Sequence, residues 1–214
     1  MGALAKLEMM HRTSPYEGLP VRLWAEKTRA LLRAHPLNHP EIVRVVIKVW
    51  DGILVSQIGG FQIGKHLLAK PQIMGFFLHE LIPLELARRH PSVWRGDKSA
   101  KEKDLFCIPN PDLSVEIKTS SHPSQIFGNR SYAQKSKHGN KAKSEETRKA
   151  KSGYYLAINF EKFTDERVVP AITRIRFGWL DHTDWVGQKS ETGQQSRLSR
   201  NVEKYKLVEL YRRK

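Results

Sequence analysis

Cysteine is all but missing from this chain. Cys107 stands alone among 214 residues, which excludes an internal disulfide and a thiolate-rich zinc site. Long hydrophobic runs are missing as well. The longest apolar stretches, 42–58 and 73–87, are interrupted by charge, and no window approaches the ~20 apolar residues that a membrane span requires. The opening MGALAKLEMMHR lacks the apolar core and cleavage site of a signal peptide, and Lys6 stands where a myristoylation signal needs Ser or Thr. Acidic residues are scarce: 22 Asp and Glu face 37 Lys and Arg, a formal net charge of +15. Such a surplus favours a polyanionic partner, and with no membrane segment in view nucleic acid comes first. The expectation is a cytoplasmic DNA- or RNA-binding protein with no membrane partner.

What is present is enough apolar residue, 39% with 9% aromatic, for one globular domain with a full core. Residues 19–35 place Val21, Trp24, Thr28, Leu31 and Leu32 at helical spacing. Asn38 and Pro40 mark the start of a second helix that runs to Ile53. A third, PQIMGFFLHELIPLELARRH, aligns Ile73, Phe76, Phe77, Leu84 and Ala87, with Pro83 expected to kink or break it. Glu80 lies on that same face. A carboxylate directed inward there needs a positive partner, either Arg88 or Arg95 or a metal-centred network. Short strands follow at 92–96, 103–109 and 113–121, then a lysine-rich segment at 131–152, part helix and part loop, and strands at 153–163 and 171–180. That order predicts an α/β or α+β fold, a central mixed sheet flanked by helices, with N-terminal helices. The whole of 1–214 reads as one domain: a helical part at 1–70, a catalytic core at 71–180 and a recognition part at 181–214.

The chemistry is concentrated in KDLFCIPNPDLSVEIKTSS, 103–121, two apolar runs around a Pro-Asn-Pro-Asp turn. On the second strand Ser114, Glu116, Lys118 and Ser120 share one face, while Val115 and Ile117 point into the core. Hairpin pairing brings Asp104 beside Glu116. Two converging carboxylates suit a hard cation, and Mg²⁺ takes oxygen ligands, water and phosphate oxygens, with the Ile117 carbonyl as one more donor. Such a metal polarises a phosphate and acidifies a bound water, and Lys118 can hold the attacking water and offset transition-state charge. An exposed strand carrying a weak Glu116–Lys118 ion pair is the plain structural alternative.

Helix, strand, strand with Asp104, strand with Glu116-Ile117-Lys118, helix, strand resembles the core of the PD-(D/E)xK nuclease superfamily. Lys103 replaces the usual proline, and the literal Pro111-Asp112 lies too close to Glu116 to share a hairpin with it. Size and charge resemble type II restriction endonucleases. The stretches EIKTSS, IFGNRSYAQ, KSGYYLAINF and IRFGWLDHTDW are similar to the ScaI-like group of these enzymes. The resemblance implies a Mg²⁺-dependent homodimer that cuts both strands of double-stranded DNA at a short palindrome. The metal would be held by Asp104, Glu116 and Ile117, with Lys118 and Glu80 completing the catalytic set. A repair nuclease or junction resolvase with the same core, and a basic DNA-binding protein without chemistry, are the rival readings.

Reading bases in the major groove favours Asn, Gln and Arg. GNRSYAQ supplies Asn129, Arg130, Ser131 and Tyr132, and the segment 181–201 supplies His182, Gln194, Gln195 and Arg197. Lysines of 135–151 suit phosphate contacts, which position a duplex without reading it. Two apparent motifs fail. GGFQIGK lacks the Ser or Thr that follows the lysine of a phosphate-binding loop, and in HELIP Pro83 displaces the second histidine of a zinc-protease helix.

Overall fold

The computed structural model describes residues 14–129, 151–164, 169–187 and 195–214. Its first helices are α1 (Trp24–Arg33) and α2 (His39–Val55). The Asn38 side chain accepts from the Glu41 N–H at 2.9 Å and Pro40 sits in the first turn, so α2 starts where those residue types demand. Strands β1 (Gln57–Ile58) and β2 (Phe61–Gln62) form a small hairpin. Its two turn residues, Gly59 and Gly60, both have positive φ, so the glycines of the near-miss phosphate loop serve a tight turn. Helix α3 (Pro71–Arg89) then runs unbroken through Pro83.

Next come β3 (Trp94–Gly96), β4 (Leu105–Cys107), β5 (Val115–Ser120), β6 (Phe127–Asn129), β7 (Gly153–Phe160), β8 (Ile172–Leu180), β9 (Trp185–Gly187), β10 (Gln195–Leu198), α4 (Arg200–Tyr205) and β11 (Leu207–Arg212). Six of these strands make one sheet in the order β11-β8-β7-β5-β4-β3. Only β5 and β7 pair in parallel, so the sheet is mixed, as expected. The helix expected within 131–152 falls almost wholly outside the described residues. A second, antiparallel sheet has the order β6-β10-β9.

Pairing register sorts the side chains between two cores. Ile117, Leu156 and Phe177 are cross-strand partners and pack under α2 and α3 with Ile42, Val46, Leu78 and Ile82. Their neighbours one residue along face the other way. There Tyr155 and Ala157 pack with Ile126, Trp185, Leu198 and Val202, beneath the small sheet and α4. Glu116 and Lys118, being partners of Tyr155 and Ala157, belong to this second face.

Helix α3 corrects one expectation. Met74, Gly75, Leu78, Ile82 and Leu86 are its buried residues, and the stripe carrying Ile73, Phe76 and Leu84 lies outside, 47%, 58% and 59% exposed. The helix is apolar on both faces, so periodicity alone finds either stripe. Packing decides, and Gly75 shows why. A Cβ there would sit 2.7 Å from Thr119 Oγ1 on β5, so glycine lets this face of α3 close onto the sheet.

Candidate active site

Strand β4 pairs with β5 at one position only, Leu105 with Val115, and then leaves the ladder. The gap is filled by a side chain. Asp104 Oδ2 accepts from the backbone N–H of Ile117 at 2.7 Å, taking the place of a ladder carbonyl. Extending the register by one residue sets Asp104 across from Glu116. Lys118, one strand period on, donates from Nζ to Glu116 Oε1 at 2.6 Å. The pair is shielded: the Glu116 side chain is 4% exposed and that of Lys118 15%. A charged pair kept this dry is costly as mere decoration, because desolvation opposes it.

Two neighbours were not foreseen. His79 of α3 brings Nδ1 to 3.4 Å from Asp104 Oδ2. It lies one turn along the helix from Gly75, whose close approach sets the distance. Lys103, which stands before Asp104 in place of proline, is buried, donates from Nζ to the Ser152 carbonyl at 3.1 Å and lies 5.0 Å from the Tyr155 ring centre. It ties the start of β7 to the Asp104 corner. The only hint of either role was position, one residue from Glu80 and from Asp104.

Glu80 itself is displaced from its expected role. Its residue is exposed on the outer side of α3, away from β5, because the helix packs through the opposite face. Its expected partners are engaged elsewhere, Arg88 with Glu85 and Arg95 with Glu102. Among the described residues no three His, Cys, Asp or Glu side chains gather as a metal cage. The donors on offer are the Asp104 and Glu116 carboxylates and the backbone of Ile117. All are hard oxygens, and such a set fits a cation that keeps waters and takes substrate phosphate oxygens.

The expected base-reading residues divide. Asn129, Gln195 and Arg197 come together on the small sheet. Gln195 pairs with Asn129, and Arg197 with Phe127 and Val186. Along β10 the residues alternate, Gln195 and Arg197 exposed, Ser196 and Leu198 buried, so the three expected readers share the outer face. The Ser196 hydroxyl locks the pairing by donating to the Asn129 carbonyl at 3.0 Å. His182 stands apart, in a 3-10 turn (His182–Asp184), with Nδ1 2.7 Å from Asp181 Oδ1 and its N–H on Ser152 Oγ. Arg130, Ser131, Tyr132 and Gln194 lie outside the described residues, as do nearly all the lysines of 135–151.

The rest of this region is braced. Lys206 Nζ meets both oxygens of Asp184, at 2.7 and 2.9 Å, under the rings of Tyr16 and Trp24. Burial raises the Asp184 carboxyl above its ordinary value, with the Lys206 ammonium opposing that shift. None of the helices among the described residues is long and apolar enough to cross a membrane.

Residues 14–211 match the family model of the ScaI restriction endonuclease. The Type II restriction enzyme ScaI of Streptomyces caespitosus is 48% identical over 200 residues, covering 92% of this chain and 85% of that protein. Type II restriction endonucleases act on double-stranded DNA and generally use a divalent metal. With the mixed sheet and these two matches in agreement, the chain belongs to the ScaI restriction endonuclease family and is a type II site-specific deoxyribonuclease.

Proposed function

We propose that the chain, as one nuclease domain of the cytoplasm, cuts DNA by Mg²⁺-dependent in-line hydrolysis, with Asp104, Glu116 and the Ile117 carbonyl as metal donors. A bound Mg²⁺ would polarise the scissile phosphate and lower the pKa of a bound water. Lys118 directs the nucleophile: its ammonium, 2.6 Å from Glu116 Oε1, can donate to an attacking water and oppose charge building on the phosphate. Glu116 orients that lysine. Asp104 is itself oriented by the Ile117 N–H and His79. Glu80 is left out of this set. The observation that carries the reading is the bond from the Ile117 N–H to Asp104, which locks the two acid-bearing strands together at the point of chemistry.

The test is digestion of phage DNA with Mg²⁺ and with EDTA, using the wild type, Asp104→Ala and Lys118→Ala. Sharp fragments from the wild type with Mg²⁺ alone, and none from either variant despite retained DNA binding, are expected. Normal cutting by either variant overturns the assignment.

Asn129, Gln195 and Arg197 are the proposed readers of base edges, presented on the small sheet. Arg130, Ser131, Tyr132 and Gln194 are proposed to act with them, and His182 to contact the duplex at the margin.

Cutting both strands of a palindrome calls for a homodimer. The apolar residues of α1 and α2 lie largely in the core, so the proposed contact is the outer stripe of α3: Ile73, Phe76 and Leu84 around Glu80. Between Ile73 and Leu84 the stripe carries one acid and no Lys or Arg, so it offers apolar area to the same stripe of a second copy and little to a polyanionic duplex. Sedimentation of the wild type should give a dimer, and Phe76→Lys should give a monomer. A dimeric variant rejects this surface, and a monomeric wild type with DNA present rejects the pairing.

A further inference from the structure

We infer that the cavity between α1, α4 and the β8–β11 edge is a second anion site, shaped for phosphate and separate from the cleavage corner. It is an open basin of about 520 Å³, room for more than one phosphate. Arg29, Arg174, Arg176, Arg200, Lys204 and Arg212 line it, against only Glu203 and Glu209. Glu209 is already engaged by Arg174 and Arg212. Arg29 and Arg200 are exposed at the rim, and among the described residues no acid pairs with either.

The floor is the decisive feature. Arg176 is fully buried, 0% exposed. Its Nη2 donates to the Ser124 carbonyl at 2.8 Å and to Asn159 Oδ1 at 3.0 Å. Among the described residues Nε and Nη1 are buried with no hydrogen-bond partner, and the Glu203 carboxylate reaches Nη1 only as a long ion pair, at 3.8 Å. Burial pushes the guanidinium down to about 10, with the Glu203 carboxylate opposing that shift. Buried donors left unmet in this way ask for a ligand, and a guanidinium prefers a phosphate oxyanion.

The position gives such a ligand a consequence. Lys118, Ala157 and Arg176 form one cross-strand row, so at roughly 4.8 Å per strand Arg176 starts about 10 Å from the catalytic lysine. Between them runs the link 121–126 from β5 to β6. Asn159 Nδ2 holds it at the His122 and Gln125 carbonyls, and Arg176 holds it at Ser124. Glu203 adds a bond from the Ile126 N–H at 3.4 Å. An anion held at the rim by Arg29 and Arg200 and drawn towards Arg176 therefore braces the link between the catalytic strand and the sheet proposed to read bases.

The phosphate has two possible sources: the backbone of duplex DNA flanking the recognition sequence, or a free phosphorylated solute. Only the first rests on the nuclease reading. The experiment uses inorganic pyrophosphate in EDTA and thermal unfolding of the wild type, Arg29→Gln/Arg200→Gln, Glu203→Gln, and a charge-matched control, Lys65→Gln/Lys98→Gln. Pyrophosphate is expected to raise the Tm of the wild type and control, to have no effect on the arginine double variant, and to act at lower concentration on Glu203→Gln. A second arm measures Kd in Ca²⁺ for duplexes carrying the mapped recognition sequence with short or long flanks. If the double variant weakens only the long-flank complex, by about tenfold, the source is the duplex. If both lengths bind as in the wild type while the pyrophosphate effect is lost, the source is a free phosphate. The site is overturned if the control loses stabilisation equally, or if neither pyrophosphate nor the long-flank duplex tells the double variant from the wild type. A chain that cuts nothing would still answer in the pyrophosphate arm.

Discussion

His79 Nδ1 lies 3.4 Å from Asp104 Oδ2, the same oxygen that accepts the Ile117 N–H at 2.7 Å. One carboxylate oxygen is thus held by α3 on one side and by β5 on the other. On the proposed reading, in which Asp104 holds the metal, the imidazole acts as its positioning group. Loss of such a support typically costs 10–100-fold in metal affinity or activity. His79→Ala should therefore need more Mg²⁺ to reach half its maximal cleavage rate, with Tm little changed. Titrating Mg²⁺ against rate checks this, and an unchanged half-saturation point would mean that His79 only fills space.

Gly75 sets that geometry from one turn away. In Gly75→Ala the new methyl would lie 2.7 Å from Thr119 Oγ1, closer than side-chain carbons are found, so α3 must back off from β5. We expect loss of most activity and a lower Tm. Combining it with Thr119→Ala removes the clashing oxygen and leaves Thr119 Cβ, 3.8 Å away, as the nearest atom. The double variant should regain activity over Gly75→Ala alone. If it stays as poor as the single variant, the close approach of helix and strand is not what the glycine protects.

The same helix shows where the sequence was readable and where it was not. Alternation along 114–120 is a local property, so Glu116 and Lys118 on one face and Val115 and Ile117 on the other could be read directly, and the structure agrees. The start of α2 was legible for the same reason, a cap and a proline within one turn. Helix α3 was misread because it has two apolar stripes. Choosing between them requires knowing that Gly75 meets Thr119, a contact made across 44 positions of sequence. His79 and Lys103 were missed on similar grounds, since their partners, Asp104 and Ser152, lie far along the chain. The polar composition of 181–201 points to a recognition surface but not to β9 and β10, and the pairing of β10 with β6 and β9 supplies a register that no local pattern announces.

Acid should weaken the fold through His35. Its ring is buried between Trp94, Tyr154 and Phe177, with Nδ1 accepting from the Leu37 N–H and Nε2 2.9 Å from the Leu113 carbonyl. Burial pushes this imidazole from 6.5 down to about 4. Between those values the unfolded chain takes up a proton that the folded chain refuses, so stability is complete above pH 6.5 and falls as the pH drops towards 4. The loss is on the order of 3 kcal/mol at the lower end. Urea unfolding at pH 7 and pH 4.5 measures it against His35→Gln. That variant should be less stable at pH 7 but should lose less on acidification. Parallel pH dependence in the two proteins would place the acid sensitivity in other groups.

The proposal that the small sheet reads bases makes a different demand, that neighbours act together. Asn129 and Gln195 are register partners on its exposed face, with Arg197 one strand period along β10, whereas His182 stands in a separate turn. Side chains in contact couple, and separated ones add. Alanine at Asn129, Gln195 or Arg197 should each cost about 1–3 kcal/mol against the recognition sequence, with little change on unrelated DNA. A double-mutant cycle should show coupling between Asn129 and Gln195 and near-additivity between Gln195 and His182. Binding is measured in Ca²⁺, so that cleavage does not interfere. Equal losses on specific and unrelated duplexes would assign these residues to the phosphate backbone, and would leave base reading to some other part of the chain.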